Sequence, residues 1–201
     1  MEEKYRQQEA NCIKVVLFGP ESTGKTTLAK QLAAYYNSVW VHEFAREYLQ
    51  EKWDNEREIC EPKDLLPIAE GQMLLENELA KKTDTVLICD TDLLETKVYS
   101  EVYYSGMCNP ELEKYALENS YDLYFLTYID TPWEADDLRD KPEEREAMFK
   151  VFEAALKKHN RPYVLLKGDE KKRLETAVKH IDKLITRKSE LHQSTNKTNR
   201  K

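Results

Sequence analysis

Gly19-Pro20-Glu21-Ser22-Thr23-Gly24-Lys25-Thr26 is the stretch on which the reading of this chain turns. It fits G-x-x-x-x-G-K-[ST], follows the apolar run Ile13–Phe18, and opens a helical pattern through Leu28, Leu32, Ala33 and Tyr36. Strand, glycine loop and helix form the context that a phosphate-binding loop requires. Gly19 and Gly24 permit the tight turns that aim successive N–H groups of Glu21, Ser22 and Thr23 into one concavity. The helix behind adds unpaired N–H donors and a positive dipole end. Lys25 is expected on the β- and γ-phosphates of ATP, and the Thr26 hydroxyl on Mg²⁺. Thr27 extends the polar start of the helix, either as a further nucleotide contact or as a surface hydroxyl.

The 201 residues suffice for one domain with a sizeable core, or one domain carrying a lid. A net charge of −7 and a pI near 5.3 argue against a nucleic-acid surface, which would show as a basic patch. Cys12, Cys60, Cys89 and Cys108 lack paired metal spacing, so no zinc site is expected. There is no basic-then-apolar leader and no apolar run long enough to span a bilayer. The expectation is a reduced, cytoplasmic protein with no membrane partner. Oligomeric state is not readable.

Outward from the loop, five strand-like runs alternate with helical patterns: Ile13–Phe18, residues 38–42, 85–89 and 123–128, and Tyr163–Leu166. That alternation implies βαβ units around a five-stranded parallel sheet, an α/β fold. Val86-Leu87-Ile88-Cys89 is apolar throughout, as a strand buried on both faces should be. Leu65–Ala80 reads as a helix with Pro67 near its start. Two further stripes, Met148 to Leu156 and Leu174 to Ile185, recur at helical spacing and read as core faces. Residues 1–11 are expected to be a flexible N-terminus, 12–186 the domain, and 187–201 a disordered polar tail.

Three segments supply candidates for what surrounds the phosphates. The third strand run ends at Asp90, a carboxylate placed to hold Mg²⁺ beside the loop. Asp92, two residues on, is either a second site carboxylate or a helix N-cap. The second run leads into His42-Glu43-Phe44-Ala45-Arg46, beyond a strand's carboxyl end, where ligands of open α/β sheets collect. Transfer to a hydroxyl needs a carboxylate to take its proton; Glu43 is the first choice and Asp92 the second. Arg46 is placed to hold an acceptor oxygen or to pair with a neighbouring carboxylate. Residues 130–145 form the connection in which a lid would lie, with Arg139 and then Arg145 the arginines expected to close on the phosphoryl group. Gly168 follows the fifth strand, where an adenine-contacting loop would lie.

GPESTGKTTLA, EFAREYL, CDTDLLETKVYSEVYY and DTPWEADDLRD followed by PEER resemble the kinase domain of NadR-type ribosylnicotinamide kinases, over roughly residues 12–186. The resemblance implies a P-loop three-layer αβα sandwich of nucleoside-kinase type with a lid. It also implies a small-molecule acceptor: ATP would phosphorylate the 5′-hydroxyl of nicotinamide riboside to give nicotinamide mononucleotide. The adenylyltransferase signature H-x-G-H of longer members does not occur in this chain, so adenylyl transfer and repression are not implied. Family kinases stack the nicotinamide ring between aromatics where this chain carries His42 and Glu78. Phe44, Tyr103 or Trp133 are the alternative rings here for a cationic pyridinium.

Overall fold

The computed structural model describes residues 4–138 and 142–198. Five strands, β1 (Ile13–Phe18), β2 (Trp40–Val41), β3 (Val86–Asp90), β4 (Leu123–Thr127) and β5 (Tyr163–Leu166), pair in parallel in the order β2-β3-β1-β4-β5. β1 is central, with Val15 opposite Ile88 on one side and Leu123 on the other. Every residue of β1, β3 and β4 is buried, as expected of strands covered on both faces.

Among the described residues, seven α-helices surround the sheet: α1 (Lys25–Tyr35), α2 (Phe44–Glu56), α3 (Leu65–Ala80), α4 (Leu93–Tyr103), α5 (Pro110–Glu118), α6 (Arg145–Lys158) and α7 (Glu170–Thr198). The two-residue period of β1 assigns its side chains to two cores. Val15 and Leu17 pack with Leu28 and Leu32 of α1 and with Ala177 and Ile181 of α7. Val16 and Phe18 pack on the other face with Leu94 and Val98 of α4 and with Phe152 and Leu156 of α6. The strand order reverses at β1, so β2 and β3 lie to one side and β4 and β5 to the other. A crevice at the carboxyl end of β1 is the place that this topology reserves for a ligand.

The sequence reading needs correction at both ends. Residues 4–11 are docked on the domain: Tyr5 is buried between α3 and α5, Asn119 Nδ2 donates to its carbonyl at 3.1 Å, and Gln7 Nε2 donates to Glu76 at 2.7 Å. One large ring and a few amides are enough to anchor a polar stretch. Residues 187–198, expected as disordered tail, continue α7 as helix. Lys, Glu, Gln and Leu are good helix formers, and a helix already nucleated by a packed half extends at low cost. β2 is shorter than residues 38–42, because only Trp40 and Val41 reach register with β3.

Candidate nucleotide and acceptor site

The loop after β1 is shaped by close packing. Gly19 has φ +143°, and a Cβ there would lie 2.7 Å from Thr127 Oγ1 and 3.0 Å from the Thr127 carbonyl. No side chain fits against the end of β4. Ser22 (φ 55°) and Gly24 (φ 81°) then turn the chain so that α1 begins with its N–H groups facing the loop's concavity. Thr23 is buried; its hydroxyl lies 2.8 Å from the Pro20 carbonyl and 2.7 Å from Thr127 Oγ1, so this side chain braces the loop and leaves ligand contact to the backbone. Ser22 Oγ accepts from Glu134 N at 2.8 Å.

Lys25 is 8 % exposed, and its ammonium is folded back onto its own loop. Nζ donates to the carbonyls of Gly19 (2.6 Å) and Pro20 (3.0 Å) and pairs with Glu95 at 3.1 Å. Burial works against the charge, but Glu95, Glu43 and Asp90 outweigh it and hold the Lys25 pKa above its ordinary value. The charge at this spot is therefore one cation among three carboxylates.

Asp90 ends β3 at 1 % exposure and accepts from the Thr26 hydroxyl at 2.6 Å. Its other oxygen, Oδ1, has no hydrogen-bond partner among the described residues. Burial and then the Glu43 charge push its pKa up to about 6, against the pull of Lys25. An orphaned buried carboxylate oxygen beside a hydroxyl is the donor set of a hard cation, so these residues fit Mg²⁺. No group of three or more His, Cys, Asp or Glu that could hold a metal ion by itself is present among the described residues. Thr91 follows at φ 76°, in the left-handed region that a β-branched residue adopts only under constraint.

Glu43 is the N-cap residue of α2, but its side chain makes no capping bond. Its charge is felt by Lys25, Asp90, Glu95 and Tyr99, so it lies within electrostatic reach of the loop. Asp92 is different. It is 1 % exposed, caps α4 by accepting from Glu95 N at 3.0 Å, and accepts from the Tyr124 hydroxyl at 2.7 Å. Of the two readings the sequence leaves open for Asp92, the geometry is that of the N-cap. Burial, opposed by Tyr124 and the Glu95 amide, raises its pKa to about 6.

Arg46 pairs with Asp136 of the β4–α6 connection at 2.5 Å, joining α2 to that segment. Arg145 donates to the carbonyls of Thr131 (2.9 Å) and Ser22 (3.1 Å) and stands 5.7 Å from the Trp133 ring. Arg139 lies outside the described residues. Thr26 and Thr27 are exposed at the helix start. Beside the loop a narrow cleft is lined by Glu21, Tyr99, Tyr103, Trp133, Arg145 and Met148, with Pro20 at its edge. Phe44 is not in it: its ring lies flush against Gly71, where a Cβ would approach to 2.1 Å. His42 is bonded to Glu47 at 3.0 Å, and Glu78 is exposed on α3.

Two residues that the sequence did not single out complete the loop's surroundings. Glu95 is one. Asp92-x-x-Glu95 reads as a capping pattern, yet the Glu95 side chain enters the loop, where it accepts from Gly19 N at 3.2 Å and meets Lys25. Arg173 is the other, an arginine of the first turn of α7 at 3 % exposure. It donates to the Thr23 carbonyl at 2.5 Å, to the Gly168 carbonyl at 2.9 Å and to the Tyr128 carbonyl at 2.8 Å, and it pairs with Asp130. Gly168 (φ +98°) donates to Asp130 at 2.7 Å, so the loop after β5 is tied to the phosphate loop through Arg173. Arg173 belongs to no motif, and Glu95 belongs to one only as the last residue of a capping pattern.

A family described as AAA domain matches residues 14–173. The chain belongs to this AAA domain family. Within it, the chain is similar to the trifunctional NAD biosynthesis/regulator protein NadR of Salmonella typhimurium, at 29 % identity over 155 residues, 76 % of this chain and 38 % of that protein. The Escherichia coli NadR is 30 % identical over 125 residues, 62 % of this chain and 30 % of that protein. The chain thus spans a third or so of the curated relatives it matches. A crystal structure of NadR in complex with NR superposes with a TM-score of 0.72 at 22 % identity, covering 87 % of this chain and 52 % of the other. A deoxyadenosine kinase from M. mycoides does so at 0.62 and 18 %, covering 85 % of this chain and all of the other. These likenesses establish a P-loop αβα fold for this AAA domain.

Proposed function

We propose that this AAA domain is an ATP-dependent kinase of a small-molecule acceptor, with nicotinamide riboside the first candidate and nicotinamide mononucleotide its product. The observation that carries the reading is the Lys25–Thr26–Asp90 phosphate site with an aromatic cleft beside its loop, within reach of the charge of Glu43 at the start of α2. A nucleotide switch has no need of such a carboxylate or of a second pocket. The similarity to NadR, a NAD biosynthesis protein whose kin has been crystallised with NR, supports this acceptor over others.

In this mechanism the loop's N–H groups and the start of α1 cradle the ATP phosphates. The Lys25 ammonium leaves the Gly19 and Pro20 carbonyls for the phosphate oxygens. Thr26 and Asp90 would hold Mg²⁺, which would neutralise charge on the phosphates. Glu43 accepts the proton of the attacking 5′-hydroxyl as its oxygen bonds to the γ-phosphorus and ADP departs. Arg145, and Arg139 from the lid, offset the charge that develops on the transferring group. Tyr103 and Trp133 offer faces to a cationic ring. Residues 12–186 are the catalytic unit. Four free cysteines and the absence, among described residues, of a helix long and apolar enough to cross a membrane accord with a cytoplasmic setting.

The test is a panel of nucleosides with ATP and Mg²⁺, following ADP release and product mass. A nicotinamide mononucleotide peak that disappears in Glu43→Gln is the expected result. ATP hydrolysis indifferent to every acceptor overturns the kinase reading. Phosphorylation of purine or pyrimidine nucleosides alone retains the kinase and discards the nicotinamide acceptor.

A further inference from the structure

We propose that Glu95 is an internal competitor of the nucleotide for Lys25, a positioning residue that holds the ammonium withdrawn until phosphate takes it over. The proposal rests on the ATP-binding part of the function proposed above and extends it to a residue outside the phosphate-loop motif.

The geometry has three parts. Lys25 Nζ is engaged before any ligand arrives, by hydrogen bonds to the Gly19 and Pro20 carbonyls and by an ion pair with Glu95 at 3.1 Å. Glu95 is only 2 % exposed and reaches the loop from the first turn of α4, whose start is fixed by the Asp92 cap. Its second oxygen accepts from Gly19 N, so one carboxylate holds both the turn of the loop and the lysine that follows it. A buried ammonium without such a partner would carry a large desolvation cost, so the contact keeps the empty loop folded. The same contact must be loosened when Lys25 turns to a polyphosphate. A carboxylate left beside the ligand adds repulsion to that loss. Loop order in the empty protein is therefore obtained at the expense of nucleotide affinity.

Glu95→Gln isolates the charge, because the amide oxygen still accepts from Gly19 N. Calorimetric titration with Mg·ATP, at constant ionic strength, should show binding about fivefold to tenfold tighter than wild type, the usual size of one coupling between sites. In a Lys25→Met background the gain should shrink, since there is no ammonium left to compete for and only the repulsion between carboxylate and phosphate remains to be relieved. A scaffolding role for Glu95 predicts the opposite sign, weaker binding together with a lower melting temperature. Unchanged or weaker affinity in a folded Glu95→Gln protein overturns the proposal, as does a gain that persists in full without Lys25.

If Glu95→Gln does not fold, the wild-type protein answers by NMR of the lysine ammonium groups. A scalar coupling between Lys25 Nζ and the Glu95 carboxyl carbon should be present in the empty protein and lost with Mg·AMP-PNP. Its persistence in the complex overturns the proposal. Wild-type protein that binds no Mg·ATP sinks the kinase reading and this one together, whereas wild-type binding without the gain sinks this one alone.

Discussion

β1 begins and ends beside a buried lysine–glutamate pair, and the two pairs differ in how fully their charges are met. At the start of the strand, Lys14 lies 3.2 Å from Glu76, which is wholly buried. Glu76 also accepts from Gln7 at 2.7 Å and Tyr121 at 2.7 Å, and Lys14 donates to the Gln8 carbonyl at 3.3 Å. Charges balance one to one. At the end of the strand, Lys25 faces Glu95, Glu43 and Asp90, and one Asp90 oxygen is unpaired. The rear pair is a finished structural clamp that fastens the N-terminal segment to α3. The front cluster sets three carboxylates around one ammonium and leaves an unused ligand atom, which a cation and a polyphosphate would complete. Buried charge alone does not mark a site; buried charge left unbalanced does.

The largest effect expected at the front is from Glu43→Gln. Turnover should fall roughly 10²–10⁴-fold, the range for loss of a general base, while the affinity for Mg·ATP changes little. Steady-state kinetics with the acceptor identified by the panel would check it. A loss below tenfold would remove Glu43 from proton transfer and leave it as one of the charges around Lys25.

At the rear the expected loss is in stability. Glu76→Ala strands the Lys14 ammonium in a buried place and removes the acceptor of Tyr121, so urea unfolding should show a loss of about 3–5 kcal/mol. Nucleotide affinity should be that of wild type. If Glu76→Ala weakened Mg·ATP binding in folded protein, the two ends of β1 would be energetically coupled and the division drawn above would fail.

Lys25→Ala should fall next in size, with kcat down about 10²–10³-fold as for a preorganised charge aimed at the transition state. Circular dichroism should show a native fold, because the loop turns on Gly19, Ser22 and Gly24 and is braced by Thr23 and Arg173. Wild-type turnover in this variant would remove the loop from catalysis altogether.

The sequence revealed the front cluster only in part, and the reason lies in how each residue is placed. The loop, Lys25 and Thr26 are adjacent in the chain, so their spacing alone declares them. Asp90 is legible because a buried strand that stops at a carboxylate is itself a pattern. The five strands are legible for the same reason, since hydrophobic runs carry their own period. Glu95 is not legible: its spacing from Asp92 points to a local capping role, and only the packing of α4 against β1 turns the side chain inward. Arg173 is also hidden, since nothing in α7 distinguishes it from the helix's other charges. It reaches Thr23 because α1 and α7 share one face of the sheet. Tyr5 was masked by polar neighbours, and a segment's mean composition says little when one ring docks.

The smallest effect should come from Asp92→Asn, and it decides between the two roles the sequence allows for that residue. As a cap, Asp92 accepts from the Glu95 amide with one oxygen and from Tyr124 with the other. Asparagine caps helices about as well as aspartate. Its amide group can donate to a rotated Tyr124 hydroxyl, so both contacts survive without the charge. Removing that charge also relieves the burial that raises the aspartate pKa to about 6. Asp92→Asn should therefore melt no lower than wild type at neutral pH, and its kcat should stay within tenfold of wild type. A base cannot be replaced in this way, because an amide takes up no proton. A kcat loss in Asp92→Asn larger than that of Glu43→Gln, in protein that melts normally, would move proton transfer to Asp92. It would also show that the Tyr124 hydrogen bond opens when the acceptor binds.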